Sequence, residues 1–551
     1  MSTGFGLLTL LAALPLVGSI VVVLLPSDKE ELAKRVALAF ALGALALGVV
    51  AAVQFDTSQG GYQMVESVEW IPALGVSWTL GLDGIGLVLV LLAVLLVPVV
   101  MIAGWYERSE LSAVATSARR PVAVGAGGGE AVGPAADDRE RGSAQGGSDG
   151  SSGSVKGYLA LILVAQSMMI GVFTALDVFL FYVFFEAILI PVYFMIGRYG
   201  TGQRAYAAVK FLIYSLAGGL VMLAALAGLW AVSSSAGGPT FDVRVLAELE
   251  ISETAQAWMF LGFFIAFAIK APLFPVHTWL PDAAGAARPT TSVLLIGVLD
   301  KIGTFGMLRL CLPLFPDAAQ RFAPVIIGLS VVSILYGALL AIGQTDMRRL
   351  FAYVSVSHFG FITLGIFVFT TQGMSGSTFY MLGHGLSTAL LFCVAGYLMR
   401  RGGSAAIADY GGVAQVAPVL AGMFLFAGLT ALALPGLSTF ISEFLVLVGT
   451  FTVYPWVAVI ATLGIILAAV YVLWLYQRTM TGPVHDGVRA MSDLNGREIL
   501  ALAPVIILVV LLGFYPKPAL EVINPTVEQL QEQIGVTDPE PAVPLSEGAA
   551  Q

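Results

Sequence analysis

The chain has 551 residues, 58% of them hydrophobic and only 11% charged, with a formal net charge of −9. A soluble domain carries about 25% charged residues, so this composition excludes a water-soluble globular protein and specifies an all-α polytopic membrane protein. The two cysteines, Cys311 and Cys393, and the four histidines, His277, His358, His384 and His485, form no spaced ligand cluster. That argues against zinc or iron–sulfur ligation, and no metal or redox cofactor is expected in this chain. The excess acid lies in loops and tail, and no nucleic-acid partner is expected.

The first stretch, Met1 to Pro26, is apolar and has no Lys or Arg before Lys29. A signal peptide starts positive, so this stretch reads as a first transmembrane helix that is kept. A crossing takes about 20 apolar residues. Fourteen spans meet that need: 5–25, 32–54, 84–106, 157–174, 176–197, 208–232, 258–280, 287–311, 322–343, 349–370, 378–399, 417–447, 454–477 and 498–515. Between the second and third, residues 55–83 are poor in charge, contain Trp70 and Trp78, and are expected to form a hairpin against the interface. Residues 107–156 hold Gly127-Gly128-Gly129, Gly146-Gly147 and Ser151-Ser152-Gly153-Ser154 among mixed charges. That is the composition of a flexible linker with nothing to bury. After Tyr515-Pro516-Lys517-Pro518 the chain turns polar and acidic and is expected to fray.

The resulting divisions are three helices in 1–106, a linker in 107–156, five-helix units in 157–311 and 322–479, and a last helix with its tail in 498–551. Lys and Arg set the orientation of short loops. With the N-terminus outside, 19 of the 26 Lys and Arg fall in inner loops, 4 outside and 3 within helices. Both termini are therefore expected outside.

The most informative segment is Ala266 to Asp282. It carries Lys270 inside an apolar run, two residues before Pro272, with Pro275 close behind. An ionisable group at membrane depth marks an ion path more often than not. Proline removes an amide donor and displaces the carbonyl four residues back, which here predicts free carbonyls at Ala268 and Ala271. Broken backbone at that depth belongs beside protein or a water-filled cavity.

Six more ionisable groups lie within predicted helices: Glu186, Lys210, Lys301, His358, His384 and Glu443, with Asp300 beside Lys301. Glu186, Lys210 and Lys270 are matched by His358, His384 and Glu443 at an offset of about 173 residues. Pro435-Gly436 interrupts the helix of Glu443 as Pro272 interrupts that of Lys270. Two five-helix units, each with one broken helix, are the internal repeat of a transporter, and an odd helix number inverts the second unit. Loss of hydration brings a lysine within reach of proton exchange, and histidine suits a relay. The seven groups are expected to form a polar axis for protons, with Ser355, Ser357, Tyr353, Ser387 and Thr388 holding connecting waters. Sodium is less natural, since it seeks oxygen ligands. The alternative is a set of structural ion pairs.

At these residues the chain resembles a known family. The segments are Phe185-Glu186-Ala187-Ile188-Leu189-Ile190-Pro191, Lys270-Ala271-Pro272-Leu273-Phe274-Pro275 with His277-Thr278-Trp279-Leu280-Pro281-Asp282, Gln344 to Leu350 with Val356-Ser357-His358-Phe359-Gly360, and Leu434-Pro435-Gly436 with Ser442-Glu443-Phe444. They are similar to the antiporter-like subunits of proton-pumping NADH–quinone oxidoreductase, respiratory complex I. The closing Leu512 to Pro518 resembles the M-type branch of that family, the mitochondrial subunit 4 type.

The resemblance implies proton transfer through Glu186, Lys210, Lys270, Lys301, His358, His384 and Glu443. It implies a bacterial plasma-membrane location and partners among the membrane subunits of complex I, including neighbouring antiporter-like ones. Flavin and iron–sulfur centres would sit in other subunits. Two features depart from the family pattern. Ala283 to Pro289 replaces a run that often carries His and Glu, and Asp300 stands where an apolar residue is common. The rival readings are a subunit of a multi-subunit sodium/proton antiporter or of a membrane-bound hydrogenase, which use the same module.

Overall fold

The computed structural model describes residues 6–105 and 154–540. The linker expected at 107–156 lies, apart from its last three residues, outside the described residues. Those three belong to a helix: Ser154 caps it, accepting the amide of Gly157 at 3.0 Å.

The helices, in chain order, are α1 (Leu7–Leu24), α2 (Glu30–Gln54), α3 (Gly84–Ala103), α4 (Val155–Thr174), α5 (Val178–Gly197), α6 (Arg204–Ala236), α7 (Glu253–Lys270) and α8 (Trp279–Ala286). Then come the 289–314 stretch, here α9, followed by α10 (Pro316–Ile342), α11 (Met347–Phe367), α12 (Thr371–Gly402), α13 (Pro418–Ala431), α14 (Ser438–Val453), α15 (Pro455–Met480), α16 (Gly496–Phe514) and α17 (Lys517–Gln533). Among the described residues, eleven helices are long and apolar enough to cross a membrane. The other three expected spans are helical but interrupted: α7 and α8, α9, and α13 and α14.

One expectation is corrected and two take a definite form. The hairpin expected at 55–83 is a two-stranded antiparallel sheet, β1 (Gln63–Ile71) and β2 (Val76–Leu82), in a mostly helical fold. Val76 and the run from Thr79 to Leu82 are buried, so the end of the second strand is covered on both faces. The described chain after Pro516 does not fray. It forms α17, whose Ile523, Val527 and Leu530 recur at helical spacing and are buried. Polar contacts tie this helix to the ends of two others: the Gly84 amide donates to Thr526 Oγ1 at 3.0 Å and Gln531 Nε2 to the Phe369 carbonyl at 3.0 Å. Sequence polarity on one face hid the apolar stripe on the other. Finally, the break expected within the 258–280 span is present: regular helix ends at Lys270 and resumes only at Trp279.

Burial sorts the helices into an inner and an outer set. α11 and α12 are 94% and 89% buried over their apolar windows, while α2 and α15 are 28% and 33% buried. The outer set turns Leu24, Val53, Trp258 and Trp456 outward, as lipid-facing surfaces do. The histidine-bearing helices therefore lie at the centre. Two buried ion pairs brace the ends of this core. Arg309 of α9 meets Asp83, the cap of α3, at 3.0 Å. Glu498 of α16 is held by Arg400, and by Arg401 at 2.7 Å, at the end of α12.

Candidate functional site

The first half of the site is built on the break after α7. Pro272 has no amide to donate, yet the Ala268 carbonyl is not left free: the Leu273 amide reaches back to it at 3.0 Å. The Trp279 indole N–H donates to the Ile269 carbonyl at 2.9 Å, and the Phe274 amide to Ser333 Oγ at 2.9 Å. Side chains thus take over backbone partners that the helix has lost, as buried backbone requires.

Lys270 ends α7 and is fully buried, and its Nζ has no hydrogen-bond partner among the described residues. It lies over the Phe185 ring at 4.9 Å and near that of Phe211 at 5.6 Å, a cation–π setting that tolerates an ammonium but fixes it weakly. Glu186, beside Phe185, faces Lys270 electrostatically. Its carboxylate rests on Gly219 of α6, where a Cβ would come within 1.6 Å of an oxygen. A larger residue there would push the carboxylate aside.

The second half runs through α9, α12, α11 and α14. Lys301 follows a five-residue π turn, Leu295–Leu299, a distortion found often at functional sites. Lys301 Nζ donates to the Ile296 carbonyl at 2.5 Å and is 2.7 Å from His384 Nδ1. His384 Nε2 stands 3.3 Å from both Ser355 Oγ and Thr388 Oγ1. The His384 and His358 rings are 5.2 Å apart, and His358 lies 5.6 Å from the Tyr380 ring. Tyr380 in turn donates its hydroxyl to Glu443 Oε1. Ser355, Ser387, Thr388 and Ala431 pack close around the two histidines.

Five of the seven sequence-predicted groups thus fall on one buried line, Lys270, Lys301, His384, His358 and Glu443, with the half-buried Glu186 at its start. Lys210 is placed differently. It is partly exposed and ion-paired, 2.7 Å from Asp282, which also receives Arg349 at 2.6 Å. Sequence reading counted Lys210 with the unpaired groups because Asp282 and Arg349 lie 72 and 67 residues from their partners.

Tyr380 was also missed. Its signal was there, four residues before His384 on one helix face. Among the described residues no group of three or more His, Cys, Asp or Glu is arranged to hold a metal ion.

The fold and this line define an antiporter-type membrane protein. Residues 175–468 match the model of the "NADH:quinone oxidoreductase/Mrp antiporter, TM" family. The chain is 49% identical over 552 residues to NADH-quinone oxidoreductase subunit M of Mycobacterium tuberculosis, covering 97% of this chain and 96% of that one. Among solved structures it is similar to a chain of respiratory complex I from Thermus thermophilus with bound NADH, at 30% identity and a TM-score of 0.80, covering 96% of this chain and all of that one. A chain of the Mrp complex from Dietzia shares the fold at 22% identity with a TM-score of 0.75, covering 95% of this chain and 98% of that one. The chain belongs to the NADH:quinone oxidoreductase/Mrp antiporter family.

Proposed function

We propose that this chain is a non-redox, proton-translocating membrane subunit of NADH–quinone oxidoreductase, of the M type. The observation that supports it best is the line from the half-buried Glu186 through buried Lys270, Lys301, His384 and His358 to Glu443, inside a fold whose relatives are named as subunits of that enzyme. Protons move along the line when quinone reduction in neighbouring subunits shifts the charge facing Glu186 and Lys270. Flavin and iron–sulfur centres belong to those neighbours.

The chain lies in a bacterial plasma membrane beside other antiporter-like subunits, crossing it fourteen times with both termini outside. The inner-loop excess of Lys and Arg supports that orientation. The broken pairs α7 with α8 and α13 with α14 support two inverted five-helix units. The likeness to the Mrp complex is in fold alone, so the sodium/proton antiporter reading has less behind it.

The test is to purify the native complex through this chain and reconstitute it in vesicles. The proposal expects NADH–quinone activity to co-purify and to acidify the vesicle lumen. Recovery of sodium/proton exchange without NADH–quinone activity would overturn it.

A further inference from the structure

Asp300 is fully buried, and neither of its carboxylate oxygens has a hydrogen-bond partner among the described residues. The next residue, Lys301, does not pair with it. Lys301 Nζ instead donates to the Ile296 carbonyl at 2.5 Å and lies 2.7 Å from His384 Nδ1. On the other side Lys270 also has no hydrogen-bond partner. Two groups of opposite formal charge thus lie buried and unpartnered, which is a costly arrangement for both.

The packing brings them to one place. Gly303, one helical turn past Asp300, lies so close to the end of α7 that a Cβ would meet the Phe267 carbonyl at 2.4 Å and the Ala271 amide at 2.6 Å. Those two backbone groups flank Lys270. Asp300 interacts electrostatically with both lysines. Glu186 faces Lys270 from the far side, and His384 holds Lys301.

We propose that Asp300 is the proton carrier between Lys270 and Lys301, joining the first half of the line to the second. The inference rests on the pumping function proposed above. In the first step a Lys270 N–H bond breaks as an Asp300 O–H bond forms, leaving a neutral amine and a neutral acid. In the second, the Asp300 O–H bond breaks as an N–H bond forms on neutral Lys301, restoring the carboxylate and leaving an ammonium. No electrons move. Since neither group has a hydrogen-bond partner among the described residues, the first step requires a bridging water or a rotamer change of the Lys270 stem. The competing role is a fixed anion that only holds the lysines charged, and such an anion stays ionised throughout turnover.

The experiment uses the intact complex in vesicles, with Asp300→Asn and Asp300→Glu beside Lys270→Ala and Lys301→Ala. Two readouts are taken: protons released per quinone reduced, and the infrared difference spectrum of side-chain carboxyls during turnover. The proposal expects Asp300→Asn to fall to the level of Lys270→Ala and Asp300→Glu to keep most of the parent's release. It also expects a carboxylic-acid band that appears in turnover and shifts in Asp300→Glu. If Asp300→Asn releases protons like the parent while both lysine variants do not, the Asp300 proposal fails and the pumping reading stands. If the lysine variants also release protons normally, the pumping reading fails and takes this proposal with it. Should Asp300→Asn not assemble, the Asp300→Glu spectrum decides alone, and an unshifted band identifies a fixed anion and overturns the carrier.

Discussion

The two broken helices of this chain solve one backbone problem in similar ways, yet their charged residues differ. The break between α7 and α8 spans residues 271–278; the Leu273 amide reaches back to the Ala268 carbonyl at 3.0 Å, and the Trp279 indole and Ser333 take further backbone partners. The break between α13 and α14 spans 432–437 and repeats that backbone pattern, with the Thr439 hydroxyl on the Thr430 carbonyl. The Leu432 amide donates to the Gly428 carbonyl at 2.9 Å and the Leu434 amide to the Leu429 carbonyl at 3.1 Å, with Ala433 in the left-handed region at φ 59°.

Lys270 precedes its break on a long flexible stem, against aromatic faces, with no hydrogen bond. Glu443 follows its break, inside α14, and is held by the Tyr380 hydroxyl. A group without fixed partners is able to change them, whereas a group held by a hydroxyl keeps its place. Under the pumping function proposed above, the first break takes the part of a gate and the second that of a fixed station.

The contrast is sharpest at Lys270. Lys270→Ala removes an unpaired buried charge, so the complex is expected to assemble while this chain's share of proton release disappears. Native gels and vesicle acidification check the two halves of that statement, and normal acidification would remove the gate.

Glu443 comes next. Glu443→Gln keeps the shape and can still accept from Tyr380, but it cannot ionise. Glu443→Asp keeps the charge and shortens the reach by one methylene. Gln is expected to stop this chain's proton release and Asp to retain much of it. Equal pumping by both would make Glu443 a structural group.

Tyr380→Phe strips the fixed station of its holder. Leaving a buried polar group without its partner costs about 1–3 kcal/mol, and 1.4 kcal/mol is a factor of about ten. Turnover-linked proton release should therefore slow by roughly ten-fold or more, with quinone reduction in uncoupled membranes unchanged. An unaltered rate would show that Glu443 needs no holder.

Lys210→Ala should do least. Its ion pair is partly exposed, where such pairs contribute about 0–1 kcal/mol, and Arg349 remains on Asp282. A rate within about threefold of the parent is expected. Complete loss would place Lys210 back on the proton line.

Much of this contrast was legible in the chain itself. Charges inside apolar runs marked Glu186, Lys270, Lys301, His358, His384 and Glu443, because hydropathy makes such residues conspicuous. Pro272 and Pro435-Gly436 marked the breaks for a covalent reason, the missing amide donor or the freedom of glycine. Partners distant in the chain were not legible. Asp282 lies 72 residues from Lys210, and Tyr380 lies 63 from Glu443, and no local pattern pairs them. The π turns flanking Lys301 were also hidden, since their i→i+5 bonding leaves no mark in composition. Offset counting aligned Glu443 with Lys270, yet one follows its break and the other precedes it. Residue spacing is blind to that distinction.

The central claim is that the two breaks serve one path in series. The direct measurement is protons released per quinone reduced by vesicles carrying Lys270→Ala, Glu443→Gln and the double variant, all with normal assembly. A single path predicts the same residual value for all three, because either lesion alone already blocks it. A double variant that releases clearly fewer protons than either single one would contradict the account and show two half-channels working independently.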